Sequence, residues 1–385
     1  MSREDRGPCL SAISRSAIIV GLFSICLSTL IWGPAIANAT VAYNTYDTNS
    51  EVWVSKSDDG AEAVRVGNGW VAQVSPDGKL LAYEHEEAFV GWELVIYNVE
   101  TGKRWVRLTH MRTTSENIVG EVTGFAWSPD SSMVAALQND RGSGTQTLYV
   151  MNARGRPAKT RIATGHFRGV SFSPSGKEVV FGLARTEGLA PKTDIARAPV
   201  TGGPITLLTN DGISGWPLWG PHGQIAFSRR TKVERFRSYG EPRVNEHFDL
   251  FTMKASGRRL KRLTTGGSFE AGFFPAFWFP SGNRLVANFE SLDLNYAAVV
   301  DPRKGTLRPI NRPIQAFHLG VGEAGFLAAS LSPDERTVLG CFGSVVFAVP
   351  PMASVPLAGG EPIVLNEDFF SPSWGGLSTA GASAC

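Results

Sequence analysis

The sequence predicts an all-β protein built from repeated four-stranded antiparallel units. Three observations carry that expectation. A reverse-turn signature recurs along the chain, short apolar runs flank it in constant order, and the 42 glycines and 23 prolines are spread as turn punctuation. Charged residues make up 19% and aromatics 10%, the balance of a chain that folds around a core. The formal charge of +2 gives no reason to expect nucleic acid or an acidic membrane surface as the main partner.

The turns align as follows. "VSPDG" (Val74–Gly78) precedes KLLAYEHE, "WSPDS" (Trp127–Ser131) precedes SMVAALQND, and "FSPSG" (Phe172–Gly176) precedes KEVVFGLAR. "WGPHG" (Trp219–Gly223), "WFPSG" (Trp278–Gly282) and "LSPDE" (Leu331–Glu335) continue the series, and Trp374-Gly375-Gly376 is a degraded seventh copy. Proline presets φ for the second residue of a type I turn, and Asp or Ser followed by Gly lets the chain reverse tightly. A large apolar residue ends one strand and the run after the turn is the next.

A third run follows in each unit: LVIYNV, TLYVMN, DIARAPV, FDLFTMK, YAAVVDP and VVFAVPP. A fourth follows it: RWVRLT, TRIAT, ITLLT, LKRLT, LRPIN and PIVLN. From Pro76 to Pro333 is 257 residues over five intervals, about 51 per unit. Four strands at that period are β-propeller blades rather than helical solenoid repeats. Seven blades are expected, with six as the alternative if the C-terminal segment only caps the ring. The last unit has a strand after Trp374 but no third or fourth run. EVWVSKS (Glu51–Ser57) and EAVRV (Glu62–Val66) supply those, so one blade is built from both chain ends and hides two sheet edges.

These residues resemble the WD40-like PD40 repeat of TolB-type β-propellers, over roughly Glu51 to Gly376. The resemblance implies the fold. It departs from TolB in lacking an α/β domain between the leader and the propeller, so the Tol–Pal partner role is not carried over.

The first 39 residues read as an export signal. Arg3, Arg6 and Arg15 precede an apolar run from Ala17 to Trp32, and Ala37-Asn38-Ala39 forms a small-x-small cleavage site before Thr40. Residues 40–385 are then one propeller domain, exported to the periplasm or the cell exterior. The alternative is a membrane anchor over 17–32, the only way this chain would meet a membrane, although a run of 16 residues is short for a span. Of four cysteines, Cys9 and Cys26 leave with the signal. Cys341 and Cys385 then either form one disulfide or remain free thiols.

No catalytic constellation emerges. There is no Gly-x-Ser-x-Gly, and Gly212-Ile213-Ser214-Gly215 is one residue too short. The six histidines (His85, His110, His166, His222, His247 and His318) show no ligand spacing and there is no Cys-x-x-Cys, so no metal or other cofactor is expected. His222 replaces Asp in a turn and reads as structural. Glu84-His85-Glu86-Glu87 reads as a solvated strand end.

The most unusual segment is SRRTKVERFRSYGEPRVNEHF, Ser228–Phe248. Other second-to-third-strand loops are shorter. Between Arg229 and Arg243 it carries six basic residues against two acidic ones. A loop there borders the channel mouth, and its arginines and aromatics suit a carboxylate, a phosphate or a partner protein. The bland reading is a solvated insertion. The candidate ligand-binding residues are Arg229, Arg230, Arg235, Arg237, Tyr239 and His247. Trp92 and Trp216 join them because they fall out of phase with the tryptophans between blades. The links Thr109–Glu121 and Asn311–Glu323 lie on the same face. The expected function is a non-enzymatic exported scaffold for a protein or glycan partner. The alternatives are a propeller lyase or hydrolase with residues gathered around the channel, and an anchored sensory or structural ectodomain. The sequence sets no oligomeric state.

Overall fold

In the computed structural model, residues 40–374 are described except 46–49, 57–61, 88–90, 109–120, 141–144, 156–157, 187–189, 266–271, 292–294, 311–313, 316–322, 344–351, 361 and 367–368. The leader, Cys385 and both long links just named lie wholly or almost wholly outside the described residues. Among the described residues no helix is long and apolar enough to cross a membrane.

The described chain is a succession of antiparallel strands. β1 (Val41–Thr45), β2 (Glu51–Ser55) and β3 (Val64–Asn68) pair in that order. β4 (Trp70–Val74), β5 (Leu80–Glu87), β6 (Gly91–Asn98) and β7 (Arg104–Leu108) form the next set. β8 (Glu121–Trp127), β9 (Met133–Asp140) and β10 (Thr145–Asn152) are completed by the first half of β11 (Lys159–Phe172). The second half of β11 opens a further set with β12 (Glu178–Ala184), β13 (Thr193–Pro199) and β14 (Thr206–Leu207). β15 (Ser214–Trp219), β16 (Gln224–Ser238), β17 (Glu241–Lys254) and β18 (Lys261–Arg262) follow. Then come β19 (Gly272–Trp278), β20 (Leu285–Glu290), β21 (Tyr296–Asp301) and β22 (Thr306–Pro309). β23 (Ile314–Gln315) pairs only β24 (Glu323–Leu331), which leads into β25 (Thr337–Gly343), β26 (Met352–Pro356) and β27 (Ile363–Asn366). Last, β28 (Phe369–Trp374) pairs with β1, Val41 opposite Trp374.

Two expectations are corrected here. The strand beside β28 is β1, from the N-terminal side, in the place expected for the segment after Trp374, which lies outside the described residues. β1 was missed because VAYNT carries no turn signature of its own. In the set opened by β24 the third strand is MASVP, with Cys341 opposite Met352, in the place expected for VVFAVPP, which lies outside the described residues. Two neighbouring apolar segments compete for that place, and only the register with β25 selects one.

The signature residues have distinct mechanical roles. The turn serine accepts from the strand that follows, Leu80 N to Ser75 Oγ at 2.9 Å and Met133 N to Ser128 Oγ at 2.8 Å. Its own hydroxyl donates to the turn aspartate, Ser75 to Asp77 at 2.6 Å and Ser128 to Asp130 at 2.7 Å. The threonine ending the fourth run accepts from the third strand and donates to a buried aspartate there. Thr209 Oγ1 lies 2.9 Å from Ile195 N and 3.0 Å from Asp194. Thr264 Oγ1 repeats this with Leu250 N and Asp249.

Sheets with two apolar faces must be covered on both. Each apolar cluster draws on two sets. Leu94 and Ile96 join Phe125 and Trp127, Leu250 joins Phe273 and Trp278, and Val41 and Tyr43 join Leu339 and Met352. Polar ties reinforce the seams. The Trp127 indole donates to the Gln73 carbonyl (3.1 Å) and Trp278 to that of Leu218 (3.2 Å). Basic residues of fourth strands reach carbonyls of the next set, Arg107 to Ala153 (3.0 Å), Lys261 to Pro302 (2.8 Å) and Arg308 to Leu357 (3.0 Å).

Replacing Trp127 by Phe removes that donor and part of the ring. A loss of about 1–2 kcal/mol is expected in urea unfolding, against about 3–5 kcal/mol for Trp127→Ala. Equal midpoints for both variants and the parent would show that the indole does not hold the seam.

Candidate functional site

Two departures from regular pairing build the candidate site. The first is a bulge in the inner strands. Between Trp70 opposite Glu84 and Gln73 opposite Ala82, the inner strand carries one extra residue. The same shift recurs between Val122 and Gly124, Phe167 and Val170, Gly215 and Leu218, Pro275 and Phe277, and Ala328 and Ser330. An extra residue reverses the alternation of faces and re-aims the side chains before it. Trp216 sits in one such bulge with φ of 49°, a conformation that L residues adopt at a cost. That is why it falls out of phase with the tryptophans between sets.

The second departure is the arm. Ser228–Phe248 is not a loop, as the sequence suggested, but the continuation of two strands. β16 has 15 residues and β17 has 14, against the usual five or six. Pairing runs unbroken from Lys232 opposite His247 to Ser238 opposite Glu241. Tyr239 (φ 50°) and Gly240 (φ 84°) make the reversal, the left-handed pair that a two-residue hairpin turn requires. Tyrosine is an uncommon residue there, so the turn was not legible in the sequence.

The arm's base is an aromatic and ionic cluster. Trp216 packs edge-on against Phe248 (5.1 Å) and Phe274 (5.0 Å), and the Arg168 guanidinium lies 4.7 Å from the Trp216 ring centre. Glu246 holds two arginines, Arg168 at 3.5 Å and Arg230 in close contact. Burial lowers the Arg168 pKa, Glu246 opposes that shift and Arg230 adds to it. Arg229 pairs with Asp211 at 3.0 Å and lies over the Phe251 ring.

The predicted site residues therefore divide. Arg229, Arg230 and Trp216 are partly buried and engaged within the protein, and His247 is 3% exposed with Nε2 3.6 Å from Glu234. They support the arm and do not present themselves to solvent as free ligand groups. Arg235, Arg237 and Tyr239 lie on the outer half, and Tyr239 is fully exposed at the tip. Trp92 pairs opposite Glu86 in the β5–β6 hairpin, in a sheet that holds neither of the arm's strands. A cavity of about 620 Å³ lies along the outer half, lined by Arg235, Arg237 and Arg243 with apolar Phe236, Pro242, Val244 and Ala190. Arg168, Asp211 and Glu246 were missed by sequence reasoning, because only the bulge and the arm's register bring them together.

Other candidates resolve plainly. His222 Nε2 contacts the Ser281 carbonyl at 2.7 Å, a structural role in the turn. Glu84 is buried, not a solvated strand end, and His85 Nδ1 contacts the Asn68 carbonyl at 2.8 Å. Among the described residues no three His, Cys, Asp or Glu side chains gather as a metal site. Cys341 is fully buried on β25 and disulfide-bonded, and its partner lies outside the described residues.

No protein-family model matches the chain, and no curated protein matches its sequence. Solved structures do match in shape. The β-propeller domain of the Trilobed protease from Pyrococcus furiosus, described as having an open velcro topology, aligns over 86% of this chain and 92% of that one at 12% identity and a TM-score of 0.60. Oligogalacturonate lyase from Vibrio parahaemolyticus aligns over 86% and 85% at 12% identity and a TM-score of 0.54. The fold is a β-propeller. TolB from Agrobacterium tumefaciens also aligns, over 76% of this chain and 90% of that one at 18% identity, with a TM-score of 0.48. At these identities the propeller's neighbours speak to architecture alone.

Glu290, at the end of β20, has its carboxyl pushed up by burial to about 7 from an ordinary 4.5. Between those values the folded chain keeps a proton that the unfolded chain releases, so stability falls as pH rises through that window. Glu290→Gln is expected to flatten this dependence and to gain about 1–3 kcal/mol at pH 8 relative to the parent. Parallel pH profiles of the thermal midpoint for the two proteins would exclude Glu290 as its source.

Proposed function

We propose that this chain is an exported, seven-bladed propeller that binds a protein or glycan partner through the β16–β17 arm and does not itself catalyse a reaction. The observation that carries this reading is the arm. It extends two strands well beyond the sheet that anchors them, places Tyr239 fully in solvent, and brings three arginines to one cavity. Its base is braced by ionic and aromatic contacts, which suits a rigid presenting element. Tyrosine and arginine are, with tryptophan, the side chains enriched where binding energy concentrates.

The ring is supported by seven four-stranded sets among the described residues and by clusters linking consecutive sets, including the last-opened set with β1. The β1–β28 pairing supports closure from both chain ends. Export is supported by the charged, apolar and small-residue order of the first 39 residues. Cleavage before Thr40 leaves Cys385 as the partner for Cys341. A second reading, a lyase, is favoured by the lyase's similar fold and coverage. It needs reactive groups converging at the channel mouth, and the described residues hold no such metal-binding group.

Capture experiments with the purified chain test the arm. A variant in which 232–245 is replaced by a short turn is expected to lose at least about tenfold of the partner recovered by the parent, as truncating a hot-spot element does. Equal recovery would remove the arm from the function. Intact mass is expected to begin at Thr40 and to show no alkylation until reduction. A freely alkylated thiol in the unreduced protein would exclude the Cys341–Cys385 bridge.

A further inference from the structure

Resting on the reading of the arm as the binding element, we propose that its outer half docks an acidic polypeptide segment in extended conformation, with carboxylates at alternate positions.

The charges come first. At the base every cation has a carboxylate: Arg229 has Asp211, Arg230 and Arg168 share Glu246, and Lys232 has Glu234. Among the described residues Arg235, Arg237 and Arg243 form no ion pair. The excess positive charge of the segment is therefore concentrated on the outer half, beside the cavity. Arg237 donates to the Gly240 carbonyl (3.3 Å), and guanidinium forks without a carboxylate suit carboxylates that arrive from outside.

Spacing narrows the occupant. Arg235 lies opposite Val244 and Arg237 opposite Pro242, so these four side chains share one face of the hairpin. Two residues apart on a strand puts the arginines about 6.6 Å from each other along it. An extended chain has the same rise, so acids at alternate positions meet both arginines in register. A helix brings residues four apart to about 6 Å along its axis, so the spacing admits both forms and the strand edge selects the extended one. The backbone agrees. Beyond Arg230 on β16 and Phe248 on β17, the two strands pair only with each other among the described residues. At Arg235 and Arg237 the β16 edge meets no third strand among the described residues, an edge that an extended chain can pair with.

The lining argues for polypeptide over polysaccharide. Apart from the arginines, the cavity wall is Phe236, Pro242, Val244 and Ala190, with no hydroxyl, amide or carboxylate side chain among the described residues. Sugar hydroxyls need acceptors as well as donors, and guanidinium only donates. Apolar side chains between the acids of a peptide find apolar partners there.

The test uses the purified chain and a labelled short peptide alternating Glu with Val. Comparisons are the same composition with its glutamates in one block, a polyuronate oligosaccharide, and inorganic phosphate. The alternating peptide is expected to bind, and to weaken about tenfold as NaCl rises from about 50 to about 300 mM. Arg235→Glu with Arg237→Glu should weaken it about tenfold or more, and should gain affinity for a Lys-Val peptide. Both sites are exposed, so the thermal midpoint should hold, which separates lost binding from lost folding. Equal binding by parent and charge-reversed protein overturns the proposal, as does equal binding of the block peptide. Binding of polyuronate or phosphate in place of the peptide also overturns it. A cellular partner lost on shortening the arm but kept by the charge-reversed variant would defeat the acidic-segment proposal while leaving the arm's broader role intact. A partner kept on shortening would defeat both.

Discussion

Each four-stranded sheet in this protein has two apolar faces, and neither can be left to water. That constraint organises the rest. Residues alternate along every strand, so one strand feeds two clusters. Leu80 and Ala82 turn to the side of Phe125, while Leu81 and Tyr83 turn to the side of Val52 and Val54. A sheet covered on one side only would expose a whole row of such residues. The set containing β1 meets this demand by drawing strands from both ends of the described chain.

Hydrophobic burial is non-directional and does not by itself fix how two sheets meet. The directional part comes from a few polar groups placed at the seams. Indole N–H groups reach backbone of the preceding set, while the Asn288 side chain, bonded to both backbone groups of Ala328, and fourth-strand basic residues reach that of the next. Buried backbone groups left without partners are costly, so these bonds select one packing among many that would bury similar area.

On this scaffold the arm is the departure. Its bracing contacts lie at its base. Two arginines on one glutamate, one of them over a tryptophan, sit in a partly buried place where charges are less screened than in water. Beyond that base the same residue types stand in solvent without ion pairs among the described residues. One sequence segment therefore divides into an ion-paired base and an outer half without ion pairs among the described residues, and the boundary falls near Lys232.

Turn chemistry and apolar alternation are local, and they were enough to read the all-β class, the four-strand units, the inner-strand tryptophans and the joining of the N-terminal strands to the C-terminal one. Ser-Pro-Asp-Gly dictates its own bend wherever it lies. Other features depend on partners far away in the chain. The place of β1 beside β28, the choice of Met352–Pro356 as a third strand, and the extra residue in the inner strands follow from register, which no single segment contains. The division of the arginines has the same origin. Arg229 and Arg235 look alike in the sequence, and only the fold brings Asp211 to the first while leaving the second to solvent.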